Sequence, residues 1–421
     1  MIQSDPKLQW WTRLAWHVYE HLPTVAEMFL GSCFRYALPF SHLRVPITIV
    51  RGSTRSDSQP ATIIVAGDAH HVDHVIHRFL EAEPRREALG KVQLWTLPST
   101  LRQLRPSGDL TIVRLDRVSA GLFFGTDYLA VPDWVGSVLT VPDNLEALTC
   151  GNRSLRSDLR IVRRNSLKHE VVEADADFTQ FYQTMYLPFV RRRHAQHAFI
   201  RNDYWMRRAF RRGGLMWILQ DGQRVAGLLF RRRGQVLYSV AIGTARGEDR
   251  FVREGANIAT DLFVLEHAKR LGCTLIDFGG SRPFLNDGVL RYKRKWGVTL
   301  VDKQDARYDL LVHWNRLTRP VLAFHSNVPL IFRDEDGLSA LCLIERDRPI
   351  AQAEVSKIHR SVWIPGLRRL YLAATSGWQN PKERPAQTVL LDLTDGRAFD
   401  PRALHEMSSS EGRTAPKESV A

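Results

Sequence analysis

The run Ile276-Asp277-Phe278-Gly279-Gly280-Ser281, followed by Asp287-Gly288 and then Tyr292-Lys293-Arg294-Lys295-Trp296-Gly297, gathers more site-like residues than any other part of the chain. An apolar strand runs out into a glycine pair, where backbone can approach a ligand with no Cβ in the way. After a short loop comes a basic aromatic segment whose lysines can neutralise negative charge held at the turn. Each residue also has a purely structural use. Asp277 can anchor the loop, the lysine run can be a solvated face, and Trp296 can belong to the core.

Bulk properties frame what such a site would meet. The chain has 421 residues, enough for two or three domains, with 44% hydrophobic and 25% charged residues, as in soluble globular proteins. Its net charge of +14 predicts an anionic partner: a nucleotide, nucleic acid, a phosphorylated intermediate or a membrane surface. Cys33, Cys150, Cys273 and Cys342 lie far apart, which argues against a disulfide framework or a zinc site and fits a reducing cytoplasm. No signal peptide is expected, and Thr24 to Phe40 is too interrupted by Glu27, Arg35 and Pro39 to span a bilayer.

The elements that would position the site follow from periodicity. Residues 1–43 read as a helical arm, with Leu8, Trp11, Ala15, Val18 and Leu22 on one apolar stripe and Pro23 as a break. Trp10 and Trp16 fall outside that stripe, so contact with the inner membrane surface is one use of the arm and docking on the protein's own core another. Residues 44–150 alternate strands (Ile47 to Val50, Thr62 to Ala66, Val92 to Leu97, Leu110 to Leu115) with a helix from His70 to Ala82. No GxGxxG or GxxxxGK[ST] occurs there. His70, His74 and His77 share a helical side, but without a zinc motif they are expected to be a solvated face, so no metal site is assigned.

Arg153 to Lys168 reads as a basic connecting segment, followed by a helix from Asp175 to Leu187 stopped at Pro188 and another from Asp203 to Phe210. Three strands then follow closely (Leu215 to Leu219, Val225 to Arg231, Val236 to Ile242), separated by Asp221-Gly222 and Gly234. A helix from Asn257 to Leu271 and a strand from Thr274 to Phe278 lead into the glycine pair. Residues 305–400 read as a C-terminal α/β extension without a chemical motif, and residues 401–421 as a disordered tail.

The order helix, helix, three strands, helix, strand over residues 175–278 resembles the GNAT acyltransferase fold. More narrowly, the basic Arg153 to Lys168 segment, Asp277-Phe278-Gly279-Gly280 and the ending Tyr292-Lys293-x-x-Trp296-Gly297 resemble the Fem-type branch and its CoA-dependent relatives. The fold so implied is α/β, a GNAT-like mixed sheet with flanking helices, with residues 151–304 as the acyltransferase domain and 44–150 as a degenerate first half in tandem. In this family the third strand and the following helix splay from the next strand and hold acyl-CoA, which acts as co-substrate; no bound cofactor is implied. The matching donor segment is Arg250, Arg253, Gly255, Ala256 and Asn257, a departure from the full pyrophosphate signature. Lys293 replaces the usual GNAT tyrosine and is expected to stabilise charge. Tyr292 is a candidate general acid, Asp277 a third catalytic candidate, and Glu254 and Asp261 alternative bases. Gly279, Gly280, Ser281, Lys295 and Trp296 are the candidate substrate-binding residues.

The expectation is therefore a cytoplasmic enzyme, with a peripheral place at the membrane as a second option, that moves an acyl group from acyl-CoA to an amine or hydroxyl of an anionic or diphosphate-linked cell-envelope or polysaccharide precursor. Two alternatives stand beside it. An aminoacyl-tRNA donor would use Arg153 to Lys168 and Arg191-Arg192-Arg193 on the RNA backbone, although no coiled-coil heptad run is present. A non-catalytic, membrane-associated scaffold with a degenerate transferase fold is the third reading.

Overall fold

The structure is a computed structural model, and it describes residues 43–412 except 82, 145, 195–199, 304–306, 381–383 and 395–398, with five isolated positions before residue 43. The helical arm of residues 1–43 thus lies almost wholly outside the described residues. Among the described residues the chain divides into two compact units, one built from Gly136–Gly279 and Tyr292–Thr299, the other from residues 43–135, Gly280–Arg291 and residues 300–412. No helix among the described residues is long and apolar enough to cross a membrane.

The second unit holds a ten-stranded mixed sheet in the order Thr388–Asp392, Leu367–Ala374, Gly337–Ile344, Leu330–Asp334, Leu129–Pro132, Tyr308–His313, Leu110–Asp116, Pro60–Ala66, Arg44–Ser53 and Arg85–Gln93. Residues 44–150 and 305–400, read above as separate domains, thus share one sheet: Tyr308–His313 pairs antiparallel with both Leu110–Asp116 and Leu129–Pro132. Successive residues of Pro60–Ala66 point to opposite faces, and each face has its own core. Ile63 and Val65 pack with Phe79 and Phe324, whereas Ile64 and Ala66 pack with Leu97 and Leu101. Sequence reading of this unit erred at two ends. Val92 to Leu97 is only partly strand, since Arg85–Gln93 gives way to helix at Leu94. Pro401–Gly412 is helical, not disordered, and buries Leu404.

In the first unit a second mixed sheet carries Val135–Thr140, Leu275–Ser281, Val236–Thr244, Gln223–Arg233, Gly213–Gln220 and Lys168–Val172 side by side. Its helices include α1 (Arg153–Arg164), α2 (Asp175–Phe181), α3 (Leu187–His194), α4 (Asp203–Arg211), α5 (Asp249–Arg253) and α6 (Ala256–Arg270). Leu228 and Phe230 face one core, with Leu265, Ile276 and Trp296. Leu229 faces the other, with Phe178, Phe181 and Trp217.

Two local readings need correction here. The basic segment after Arg153 is a helix, not a connector: the Asn152 carboxamide caps it by accepting the Leu155 N–H at 3.0 Å. Leu155 and Val162 form its buried stripe, with Leu159 between them. Pro188 does not stop the preceding helix. A five-residue π-helical turn, Tyr182–Tyr186, passes the chain from α2 into α3, and Pro188 sits two residues beyond that turn, inside a helix that continues through it.

Candidate active site

Strands Val236–Thr244 and Leu275–Ser281 run parallel but pair at only three positions, ending at Tyr238 opposite Asp277. Just beyond, the register of Val236–Thr244 against Gln223–Arg233 shifts between Ser239 and Ala241. A bulge there bends the strand, so the parallel pair parts where the sequence turns through Asp277-Phe278-Gly279. Asp277 anchors that turn, its Oδ1 accepting the Gly279 N–H at 2.7 Å. Gly279 has φ +76°, a conformation that favours glycine. Lys293 holds the other side of the same residue, its Nζ donating to the Gly279 carbonyl at 2.9 Å. One carboxylate and one ammonium group thus grip a single glycine at the mouth of the parted strands.

Lys293 is 6% exposed, and α6 carries a carboxyl whose ionisation feels its charge. Helix α6 is apolar on most sides: Ile258, Ala259, Val264, Leu265 and Ala268 are buried, and so is Asp261, at 1% exposure. Tyr292 donates its hydroxyl to Asp261 Oδ2 and lies 3.3 Å from the Asn257 carbonyl. Burial pushes the Asp261 carboxyl up to about 7, against the pull of the Tyr292 hydrogen bond and the Lys293 charge. The Tyr292 phenol is raised well above 10, first by burial and then by the Asp261 carboxylate. Tyr292 therefore keeps its proton and spends it on Asp261, an arrangement suited to holding the carboxyl in place and ill suited to donating to a leaving group.

The donor-side residues are dispersed. Arg250 is exposed, pairs with Glu248 at 2.7 Å and stacks on Phe251 with its guanidinium carbon 4.4 Å from the ring centroid. Arg253, with Arg192, Arg193, Asp249 and Val252, lines an open basic hollow of about 440 Å³. Gly255 and Ala256 are buried: Gly255 starts α6 at φ +93°, and a Cβ on it would approach Ile161 of α1 to 3.1 Å. Helix α1 therefore covers the start of α6, leaving the two arginines as the accessible part of the expected diphosphate site. Asn257 is half-buried, and its Oδ1 is buried with no hydrogen-bond partner among the described residues. Glu254 ends α5, and its carbonyl accepts from Asn165 at 2.7 Å.

The other sequence candidates fall apart spatially. Trp296 is a core residue at 1% exposure, not a substrate platform. Lys295 turns to α1, its Nζ 3.1 Å from Asp158 while its carbonyl accepts from Asn152 at 2.7 Å. Gly280 and Ser281 belong to the second unit. A Cβ on Gly280 would come within 3.1 Å of the Trp134 ring, and Ser281 Oγ is buried without a hydrogen-bond partner among the described residues. Asp261, only an alternative base in the sequence reading, is the centre of the cluster. Its signal was an acid set in a helix otherwise rich in apolar residues. The histidines of residues 70–77 do not converge: His70 and His71 pair with Asp73 and Asp68, while His74 is half-buried with its Nε2 enclosed, its ring 5.9 Å from the Phe284 ring centroid.

No protein-family model matches the chain, and no curated protein matches it in sequence. Among solved structures, L-PGS from Bacillus licheniformis is similar at 11% identity and a TM-score of 0.34, over 65% of this chain and 87% of that one. FemX is similar at 11% identity and 0.35, over 65% of this chain and 90% of that one. A GCN5-related N-acetyltransferase from Kribbella flavida is similar at 14% identity and 0.24, over 56% of this chain and 84% of that one. Likenesses this loose carry no correspondence of residues. What the chain itself displays is a mixed α/β fold with two large mixed sheets and flanking helices.

Proposed function

We propose that the chain is an acyltransferase that takes an acyl group from acyl-CoA to an amine or hydroxyl of an anionic cell-envelope or polysaccharide precursor. The observation that carries this reading is the parted parallel pair, with its glycine turn held by Lys293. A gap between parallel strands lets an extended thioester arm lie along exposed strand backbone, with its reacting carbonyl near a fixed positive charge. The acceptor nitrogen or oxygen attacks that carbonyl, a C–N or C–O bond forms, and negative charge gathers on the carbonyl oxygen. The C–S bond then breaks, and the thiolate leaves with the proton shed by the nucleophile. Lys293 is the charge that stabilises the oxyanion, and Asp261, gripped by Tyr292, positions it. Arg250 and Arg253 supply positive charge for the phosphates of the donor.

One observation favours an aminoacyl-tRNA donor instead. Arg153, Arg156, Arg160, Arg163 and Arg164 are all exposed on α1, a cationic face suited to a polyphosphate backbone. Calorimetry with acetyl-CoA and longer acyl-CoA esters at low salt tests the first reading, and no binding by any CoA ester sinks it. Binding of tRNA that weakens steeply with salt, in place of CoA binding, would establish the second. If CoA binds, Lys293→Ala should lower turnover by about 100-fold while changing donor affinity little; unchanged turnover removes Lys293 from its role.

A further inference from the structure

The second unit contains a cluster of charge that the chemistry above does not use. Asp133 bridges two arginines, its Oδ2 accepting from Arg114 at 3.0 Å and its Oδ1 from Arg282 at 2.7 Å. The Arg282 guanidinium carbon also lies over Trp134, 4.0 Å from the ring centroid. Arg78 pairs with Asp287 at 3.2 Å and sits over Phe284 at 4.9 Å, while His74, one helical turn earlier, faces the same ring. Three guanidinium groups thus meet two carboxylates. The nearby network of Arg117 and Arg333 with Asp302 and Asp309 closes with equal numbers of each sign. That network is balanced in charge; the cluster at Asp133 is one negative charge short.

Hydrogen bonding points the same way. Arg114 Nε and His74 Nε2 are buried with no hydrogen-bond partner among the described residues, a costly state for polar atoms with no ligand to take them up. Arg114 lies one residue past the last pair, Ala66 and Val113, of the parallel strands Pro60–Ala66 and Leu110–Asp116, so the cluster lies near the carboxyl ends of a parallel pair, where α/β sheets commonly bind ligands. Side chains of Arg78 and Arg282 are 30% and 26% exposed, which leaves an approach from solvent. Burial, then the positive charge of Arg282, and more weakly of Arg78 and Arg114, drive His74 down to about 2, so it is a neutral polar partner rather than a fourth cation.

We propose that the second unit binds a small oxyanion, a phosphate or carboxylate group, between Arg78, Arg114 and Arg282 and beside His74. Planar guanidinium groups match the two-oxygen edge of either anion. The site stands independently of the acyltransferase reading and survives its failure.

Arginine modification by phenylglyoxal, followed peptide by peptide in the full chain, tests it. Inorganic phosphate and acetate are compared with chloride at equal ionic strength. Phosphate or acetate should slow modification of Arg78 and Arg282 while leaving Arg348, with a side chain 73% exposed, unchanged. Protection by phosphate alone, or by acetate alone, identifies the class of ligand. Equal effects at all three arginines, or none at any, overturn the site. Calorimetric affinity for the protecting anion should also fall by about tenfold in Arg282→Gln, the loss of one charge-assisted hydrogen bond. Unchanged affinity in that variant likewise rejects the assignment.

Discussion

Replacing Asp261 with asparagine separates what this residue does for stability from what it does for chemistry. In the unfolded chain the carboxyl ionises near its ordinary value of 3.8, whereas in the folded protein it does so near 7. A carboxyl raised in the folded state contributes stability below its unfolded value and loses it as pH climbs to the folded value. Each unit of displacement is worth about 1.4 kcal/mol. Folding therefore forfeits about 1.5 kcal/mol to this one group at pH 5 and about 4 kcal/mol at pH 8. Asparagine retains an oxygen for the Tyr292 hydroxyl and carries no charge to bury. Asp261→Asn should accordingly be more stable than wild type at pH 8 by up to about 4 kcal/mol, with the advantage shrinking to about 1.5 kcal/mol at pH 5. Urea unfolding at pH 5, 6.5 and 8, followed by tryptophan fluorescence, measures the increment. Turnover should meanwhile drop under the proposed mechanism, because Lys293 loses the carboxylate whose charge it feels. A stability difference that does not vary with pH would refute the raised ionisation, and full activity in the variant would refute the positioning role.

The remaining predictions concern particular contacts. His325 is fully buried among Trp314, Phe324 and Phe399, both ring nitrogens lack partners among the described residues, and burial lowers it to about 3. The unfolded chain takes up this proton first, so stability falls as pH drops below 6.5; His325→Leu should recover about 2 kcal/mol at pH 5 and show no such acid gain at pH 8, read by calorimetric melting. Gly279→Ala adds a Cβ whose nearest neighbour is Ser239 O at 3.6 Å, so only the backbone strain counts, about 1 kcal/mol. Gly243→Ala places a Cβ 2.6 Å from the backbone of Met185 and Tyr186 and should cost well over about 3 kcal/mol or prevent folding; equal melting temperatures for the two variants would contradict that ranking.

The parts of the fold that showed in the sequence are those whose signal is local. Gly213–Gln220, Gln223–Arg233 and Val236–Thr244 announce themselves by apolar runs broken at Asp221-Gly222 and Gly234, and α6 by its spacing of apolar residues. Long-range pairing leaves no such trace. Nothing around Tyr308 signals that its strand will lie against Leu110–Asp116, almost 200 residues earlier. Arginine density hid α1, whose apolar stripe is only one residue per turn wide. At the site, Lys293 and the glycine turn were legible because their residue types are unusual together. The importance of Asp261 was not, because charge in a sequence says nothing of burial, and burial gives this carboxyl its near-neutral ionisation.

The π-helical turn at Tyr182–Tyr186 amounts to one surplus residue wound into a helix that runs from Asp175 to His194. Each helical residue advances the face by about 100°, but the wide turn takes up the surplus locally, so the helix beyond it keeps its angular phase. Tyr186 locks that phase by accepting the Arg201 N–H at 2.9 Å, while Gly243 and Gly247 abut the backbone at Met185 and Pro188. Deleting one residue there would relax the coil to an ordinary α-helix and leave Arg192 and Arg193 facing Asp249 in the basic hollow, whereas deleting one residue of α3 between Pro188 and Arg192 would swing them about a quarter-turn away. The π turn is thus a place where this helix can gain or lose one residue while the arginines beyond it keep their reach.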